Sequence, residues 1–391
     1  MPIKSQDHDV AIVGAGPAGS SLAIRLAKAG LSVLLAEQKA FPREKLCGEF
    51  ISPECLRHFA EIGVAAKIAA AGGTDLKETV FFSQGGKGVA VESSWFGQAD
   101  SLALGLSRAE MDKILLDHAK AVGVDVREET SASGLAIDKG HVRGVMLRSK
   151  NGAEAEAAAS LTIDATGRTR SLARRLDTSG SPKKAATHVA FKTHLKGARV
   201  LPSTCEIYVY RGGYGGCNRV QDGLYNLCFI ASAADAKRLG SDPERLMREV
   251  VFTNRRAEAA MSDAAAVKPW LAVPIERFGR GEMVPANGLL TVGDAAAFID
   301  PFTGSGMLLA LESAEIAADA IVGSIVKDLE FGSIANEYRR LYAERFNRRL
   351  RVCSVLRHAA FVPFLAGSLI TVLSLSKKMT EGLARATRSG A

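Results

Sequence analysis

The chain has 391 residues, 47% hydrophobic and 24% charged, which is enough for two or three cores and too apolar for a disordered protein. Its formal charge of +8 is dispersed, only 6% of residues are aromatic and no recognition motif is visible, so no nucleic-acid partner is expected. Six cysteines form no CxxC pair and share no histidine spacing, so no metal site is expected, and the lack of a charged-then-apolar leader before the first strand points to a cytoplasmic protein without a disulfide framework.

The run Asp9–Val13 reads as a buried parallel strand that leads into Gly14-x-Gly16-x-x-Gly19. A helix carrying Leu22, Leu26 and Ala29 on one face follows, then a second apolar run that ends in Glu37. Gly14 permits the tight turn, Gly16 lets the backbone approach a pyrophosphate, and Gly19 lets helix and strand pack closely, so phosphates sit on the helix N-terminus. Glu37 can accept from both ribose hydroxyls of an adenosine and disfavours a 2′-phosphate, which favours FAD or NAD over NADP.

Residues from about 75 to 105 read as short strands and turns, and Ser107 caps a helix that runs to Val122. Strands near 124–128, 132–137, 142–148 and 157–163 form a small meander leading to Asp164-Ala-Thr-Gly167. From about 183 to 275, the alternation in Val189–Leu195, Glu206–Tyr210 and Tyr225–Ile230 predicts an antiparallel sheet, interrupted by one helix from Pro243 to Met261 capped by Asp242. Leu289–Val292 is then a buried strand ending in Gly293-Asp294, after which Pro301, Gly304 and Gly306 open a mostly helical C-terminal part. A carboxylate at a strand's C-terminal end can accept from a sugar-chain hydroxyl, and the amides of the next helix can face an electron-rich flavin edge.

The three ordered motifs, Gly14-x-Gly16-x-x-Gly19, Asp164-Ala-Thr-Gly167 and Gly293-Asp294-Ala295 with Pro301 and Gly306, resemble the flavin fingerprints of hydroxybenzoate-hydroxylase-type flavoproteins. The strings Pro42–Gly48 and Arg108–Asp112 are similar to the geranylgeranyl reductase branch, near the flavin-dependent halogenases. The resemblance implies an α/β protein with a discontinuous Rossmann-like FAD-binding domain (1–75, 106–182 and 276–330), an antiparallel-sheet substrate domain (76–105 and 183–275) and a C-terminal helical segment (331–391). It further implies that Ala18 and Glu37 contact the adenosine half of FAD, and that Arg108 and Ala132 line its ribose and pyrophosphate. Asp294 would hold the ribityl chain, Gly306 and Met307 would lie beside the isoalloxazine, and Lys45, Cys47 and Gly48 would form the loop on its other side.

Two residues of that loop carry open alternatives. Cys47 is a polarizable wall or acid near the flavin, or a small buried residue chosen for fit. Glu49 stands where the family usually has a second glycine, and is an acid or base if burial raises its pKa, or a solvated loop carboxylate. Gly216, in Gly213–Arg219, replaces the large indole that walls the reductase pocket, and so opens volume.

The stretch Ala359–Leu375 is apolar on nearly all sides, broken by Pro363 and Gly367, and flanked by Arg357 and Lys377-Lys378. A membrane span needs about 20 apolar residues. The segment therefore reads as a helix closing the substrate chamber or as an interfacial helix peripheral to the inner face of a membrane. The leading functional expectation is an FAD-dependent reductase or dehydrogenase that acts through flavin N5 on an apolar lipid-like, isoprenoid-like or polyketide-like small molecule. No second glycine fingerprint is present, so NAD(P)H or a redox protein is the expected transient electron donor. The rivals are a monooxygenase in which reduced flavin captures oxygen at C4a, and a non-catalytic flavin-binding partner of a membrane or pathway enzyme. The sequence carries no signal of oligomeric state.

Overall fold

The computed structural model describes residues 7–97, 101–176, 185–276, 278–298, 302, 304–325 and 330–388. Its first sheet runs in the order Asp125–Arg127, Val33–Ala36, His8–Val13, Glu154–Asp164, His141–Ser149, Thr130–Asp138, with Leu289–Thr291 also paired to Glu154–Asp164. The strand Glu154–Asp164 serves two partners, and its sequence says why. Its first half is largely exposed and pairs antiparallel with His141–Ser149, whereas Leu161–Asp164 is continuously buried and pairs parallel with His8–Val13 and Leu289–Thr291. Strand ends are thereby aligned, with Val13 level with both Ala36 and Asp164. Asp125–Arg127 corrects the expected meander, because it is the parallel edge strand beside Val33–Ala36.

The helix Pro17–Lys28 buries nine of its residues, and it packs with Gly306–Ile325 and Arg108–Ala121 into one core against this sheet. Ser107 caps Arg108–Ala121 as its sequence requires, its side chain accepting from the Glu110 amide at 3.2 Å.

The second sheet has eight strands, in the order Ala265–Ala266, His188–Lys196, Tyr225–Ser232, Gly213–Arg219, Thr204–Tyr210, Glu78–Phe82, Gly88–Glu92, with Leu271–Ile275 beside His188–Lys196. Leu271–Ile275 tolerates Pro274 because it pairs on one side, with His188–Lys196, and proline is confined to edge positions of a sheet. The single helix expected from Pro243 to Met261 is two, Pro243–Glu249 and Arg255–Met261. The break falls at Asn254, whose Oδ1 accepts from the Arg256 and Ala257 amides while its Nδ2 donates to the carbonyls of Phe82, Ser83 and Val209. Asp242 caps the first of the pair, as expected.

A three-stranded sheet of Phe50–Ile51, Thr74–Leu76 and Ala103–Gly105 ties the two large sheets together. A Cβ on Gly105 would fall 2.1 Å from the Arg219 carbonyl, so only glycine allows that approach. The chain ends in the helices Phe331–Ala360, Pro363–Leu373 and Lys377–Ala386, and no described helix is long and apolar enough to cross a membrane.

Candidate active site

The turn after His8–Val13 is shaped by backbone contact. Gly14 has φ +104°, and a Cβ there would lie 2.4 Å from the Ala165 carbonyl oxygen; one on Gly19 would lie 1.9 Å from the Gly14 oxygen. Helix and strand meet at a distance that excludes any side chain. Gly16 differs: its backbone is extended at the helix N-cap, and a Cβ would face open space with only Arg108 Nη2 at 3.9 Å. Gly14 and Gly19 therefore build the turn, while Gly16 keeps clear the space in front of the helix amides. Gly293, at φ +60°, brings the third motif against the same helix, since its Cβ would meet Ala18 Cβ at 2.8 Å.

Glu37 is buried at the end of its strand and is already engaged. Its Oε2 accepts from the Ala15 amide at 3.1 Å and from Arg43 at 3.3 Å, and its Oε1 accepts from the Lys39 amide at 3.1 Å. Arg43 reaches on to Asp112 at 3.0 Å, and Asp112 also takes two hydrogen bonds from Arg108 at 2.7 and 2.8 Å. This buried chain of alternating charge locks strand, loop and helix around the glycine turn. Arg43, in the string Pro42–Gly48, is thus buried between two carboxylates and not a solvated loop base. Ala132 lies two residues beyond Thr130, whose amide donates to the Glu37 carbonyl at 2.8 Å.

Asp164, at the head of the second motif, is engaged within the chain. Its Oδ1 accepts from the Thr166 amide and hydroxyl, and its Oδ2 accepts from the Leu172 and Ala173 amides at 3.0 and 2.9 Å. With these acceptor sites filled inside the chain, the carboxylate shapes the turn that carries Gly167 (φ +72°) and Arg168. Asp294 is the opposite case. Burial raises its carboxyl above the usual aspartate value, against the opposing charges of Arg168, Arg108 and Lys45. Lys45 is pushed down by burial and by the neighbouring Arg43 and Arg108. One carboxylate facing three cations in a cleft suits a ligand that bears both hydroxyl donors and phosphates. Gly306 opens the helix Gly306–Ile325 with nothing within 4 Å of a Cβ, and Met307 beside it is buried.

On the opposite side lies the loop Lys45–Glu49. Asn226 Nδ2 donates to the Cys47 carbonyl at 3.1 Å, Cys47 Sγ accepts from the Glu49 amide at 3.4 Å, and Gly48 has nothing within 4 Å of a Cβ. Glu49 is wholly buried at φ +51°. Its Oε1 accepts from Lys192 Nζ at 2.5 Å and from the Arg108 amide at 2.9 Å, and its Oε2 pairs with His194 Nε2 at 2.7 Å. Burial alone would raise this carboxyl. The hydrogen bond from His194 and the charge of Lys192 outweigh it and hold Glu49 below the usual value, as an anion. This corrects both expectations for Glu49, which is neither a proton-bearing acid nor a solvated loop residue. Glu44, Glu49 and His194 bring ligand-type atoms within 4.8 Å of one another, but Lys192, raised above its usual value by the Glu49 charge against its own burial, supplies the positive charge there. Lys192 and His194 were missed, although two basic residues two apart on an apolar strand were a signal in the sequence.

Beyond the loop, an apolar cavity runs from Gly48, Phe50 and Gly304, over Phe81, Ile207 and Gly216 of the second sheet, to Leu356, Leu369 and Leu383 of the C-terminal helices. Gly216 does line it, as the missing indole implies, and a Cβ there would first meet Ile207 Cδ1 at 2.9 Å.

The fold and this cleft define an FAD-dependent flavoprotein enzyme. The open approach at Gly16 and the carboxylate of Asp294, which accepts no hydrogen bond among the described residues, fit that cofactor, with the glycine turn receiving phosphates. The chain belongs to the FAD binding domain family, whose model matches residues 7–322. It is 32% identical over 327 residues to a digeranylgeranylglycerophospholipid reductase of Methanosarcina mazei, covering 81% of this chain and 76% of that protein. It is 27% identical to a tryptophan 2-halogenase of Chondromyces crocatus, over 87% of this chain and 66% of that one. Among solved structures, a geranylgeranyl bacteriochlorophyll reductase-like protein from Thermoplasma acidophilum superposes with a TM-score of 0.80 at 21% identity, over 97% of this chain and 96% of the other. The chondrochloren halogenase CndH does so at 0.79 and 21%, with the same coverage. The chain is thus a flavoprotein oxidoreductase of the branch that holds geranylgeranyl-type reductases and neighbours the halogenases.

Proposed function

We propose that the protein is an FAD-dependent reductase that saturates a double bond in an apolar, chain-like molecule, lipid-like, isoprenoid-like or polyketide-like. The observation that carries this reading is the cavity, which starts at the Gly48 loop and is walled mainly by aliphatic and aromatic side chains, with Thr79, Ser93, Asn218, Thr380, Thr387 and Arg388 among the polar ones. Burial of apolar surface then supplies most of the binding, and the polar lining residues are left to orient the substrate. When bound, FAD supplies hydride transfer at N5. The chain's own part is to hold the loop and exclude water. Asn226 and Asn218 fasten the carbonyls of Cys47 and Glu49, the Glu49 ion cluster keeps that loop against the second sheet, and Phe50 and Phe302 close the near end of the chamber. Cys47, partly buried in the same loop, is the proposed proton source for the second carbon. NAD(P)H or a redox protein is proposed as donor, visiting from solution.

The test is anaerobic turnover. The flavin-loaded protein is reduced chemically, an unsaturated apolar acceptor such as geranylgeraniol is added without oxygen, and the return of oxidised-flavin absorbance is followed together with the mass of the product. A product heavier by two hydrogens supports the reading. A product that forms only with oxygen and gains an oxygen atom transfers the assignment to the monooxygenase class.

A further inference from the structure

Exposed large hydrophobic residues are concentrated in one place. Val355, Val362, Phe364, Leu365, Val372, Leu375 and Met379 all lie between positions 355 and 379, whereas Ile137, Leu201 and Val267 are the others among the described residues. Phe364 is 79% and Leu375 80% exposed, which is extreme for side chains of that size. No charged residue occurs from Phe361 to Ser376, and Lys377 and Lys378 follow at once.

The helix Pro363–Leu373 has two apolar faces with different surroundings. Ala366, Leu369, Ile370 and Leu373 turn inward and wall the cavity. Phe364, Leu365 and Val372 turn outward with Ser368 and Thr371, and Leu375 continues this outer face into the turn before Lys377–Ala386. A helix of 11 residues is about 16 Å long, half the thickness of a bilayer's hydrocarbon core. Such a segment cannot cross a bilayer, but it can lie in the interface with its apolar side chains among the acyl chains and lysines at headgroup level. Lys378 is exposed at its C-terminal edge, and Arg348 and Arg351 are exposed on the preceding helix.

We infer that the outer face of Pro363–Leu373, continued through Leu375 and Met379, docks on an anionic phospholipid bilayer, so that one thin helix separates the lipid from the substrate cavity. The apolar ridge supplies insertion; Lys377 is paired with Glu92 at 2.6 Å, so Lys378 with Arg348 and Arg351 supplies the charge that selects anionic headgroups. The inference rests on the proposed reading of the cavity only for its purpose; the docking itself is independent of turnover.

The flavin-loaded full chain is floated on a density gradient with vesicles of phosphatidylcholine alone and with vesicles holding equal parts phosphatidylglycerol. The expected result is co-flotation with the anionic vesicles, falling about tenfold or more in a variant carrying Phe364→Ser and Leu375→Ser. Leu201→Ser, a change at an exposed leucine outside this face, leaves flotation unchanged. Both replaced side chains are solvent-exposed, so flavin absorbance and thermal unfolding stay as in the parent and certify the fold. Failure of the parent to float, equal flotation on neutral vesicles, or wild-type flotation of the double variant overturns the inference. So does a parent that sediments as a dimer and becomes a monomer on the double substitution, since the ridge would then cover a second copy. None of these readings depends on reductase activity, so each can fail while the proposed function stands.

Discussion

Glu49→Gln tests the buried ion cluster most directly, because it keeps the shape of the side chain and removes its charge. In the parent, Glu49 is the shared anion of Lys192 at 2.5 Å and His194 at 2.7 Å, and Lys192 is itself only 1% exposed. The other partner of Lys192 is Glu44, which is 36% exposed and 2.9 Å away. Removing one partner of a buried pair costs about 3–5 kcal/mol, because it leaves an uncompensated charge. With about 2.1 cal/mol/K of unfolding entropy per residue, a chain of this length melting as one unit loses roughly 4–6 °C of Tm for that change.

The pH dependence carries a sign. Glu49 has its folded pKa depressed, so its contribution is fully present above the unfolded carboxylate value and is lost as pH falls through the lower folded one. Lys192 is raised, so its contribution is present below the unfolded lysine value and is lost as pH rises through the higher folded one. The stability gap between parent and Glu49→Gln is therefore greatest near neutral pH, closing at acid pH as Glu49 takes up its proton and narrowing at alkaline pH as Lys192 loses its own. Differential scanning calorimetry of the two proteins across that range measures it. A gap below 0.5 kcal/mol at neutral pH, or one that widens toward pH 3, refutes the account of Glu49 as a buried counterion.

Three further outcomes follow from the cleft. Gly16→Ala leaves the flavin-free protein within about 1 kcal/mol of the parent, as a change at a helix cap does, yet weakens FAD binding about tenfold or more in a fluorescence titration, because its methyl enters the space in front of the helix amides. Unchanged FAD affinity would place the phosphates elsewhere. Asp294→Asn stabilises the flavin-free protein at neutral pH, since a carboxyl raised by burial binds its proton more tightly when folded, and stability falls as pH rises through that window. The advantage over the parent grows from about pH 4 upward in thermal unfolding, while flavin retention drops. Gly216→Trp fills the cavity after Ile207 Cδ1 rotates aside, and raises KM for the longest acceptor chains in a chain-length series while short ones still turn over. A uniform fall in kcat across the series argues against Gly216 as a wall of the substrate path.

The parts of this molecule that could be read from the sequence are those whose cause is local. The apolar run to Val13, the three glycines and the acid at Glu37 sit within thirty residues, and Ser107 satisfies an amide three positions on. The parts that escaped depend on distant partners. Asn254 ends one helix and starts another because its amide meets the carbonyls of Phe82, Ser83 and Val209, far from it in sequence. Asp125–Arg127 has the same apolar alternation whether it joins a meander or a parallel edge, and only the register with Leu34–Ala36 decides. The carboxylate of Asp164 is likewise settled by amides further along the chain, those of Leu172 and Ala173.

Glu49 joins these levels. Its φ of +51° is a conformation glycine adopts freely and other residues hold at roughly 1–2 kcal/mol, which makes glycine the locally easier choice there. The chain holds a glutamate in that conformation because Lys192 and His194, nearly 150 residues away, meet its carboxylate. Glu49→Gly therefore relieves the backbone but strands two basic groups in the core. The relief is largely cancelled by the extra freedom glycine brings to the unfolded chain, about 1 kcal/mol, so the loss of about 3–5 kcal/mol from the broken pair prevails. The expected protein is destabilised nearly as much as Glu49→Gln, and replacing Lys192 and His194 by methionine and leucine in the same chain restores most of the loss in urea unfolding. If Glu49→Gly alone matches the parent, the backbone and not the ion cluster governs this loop, and Lys192 and His194 do not couple it to the second sheet.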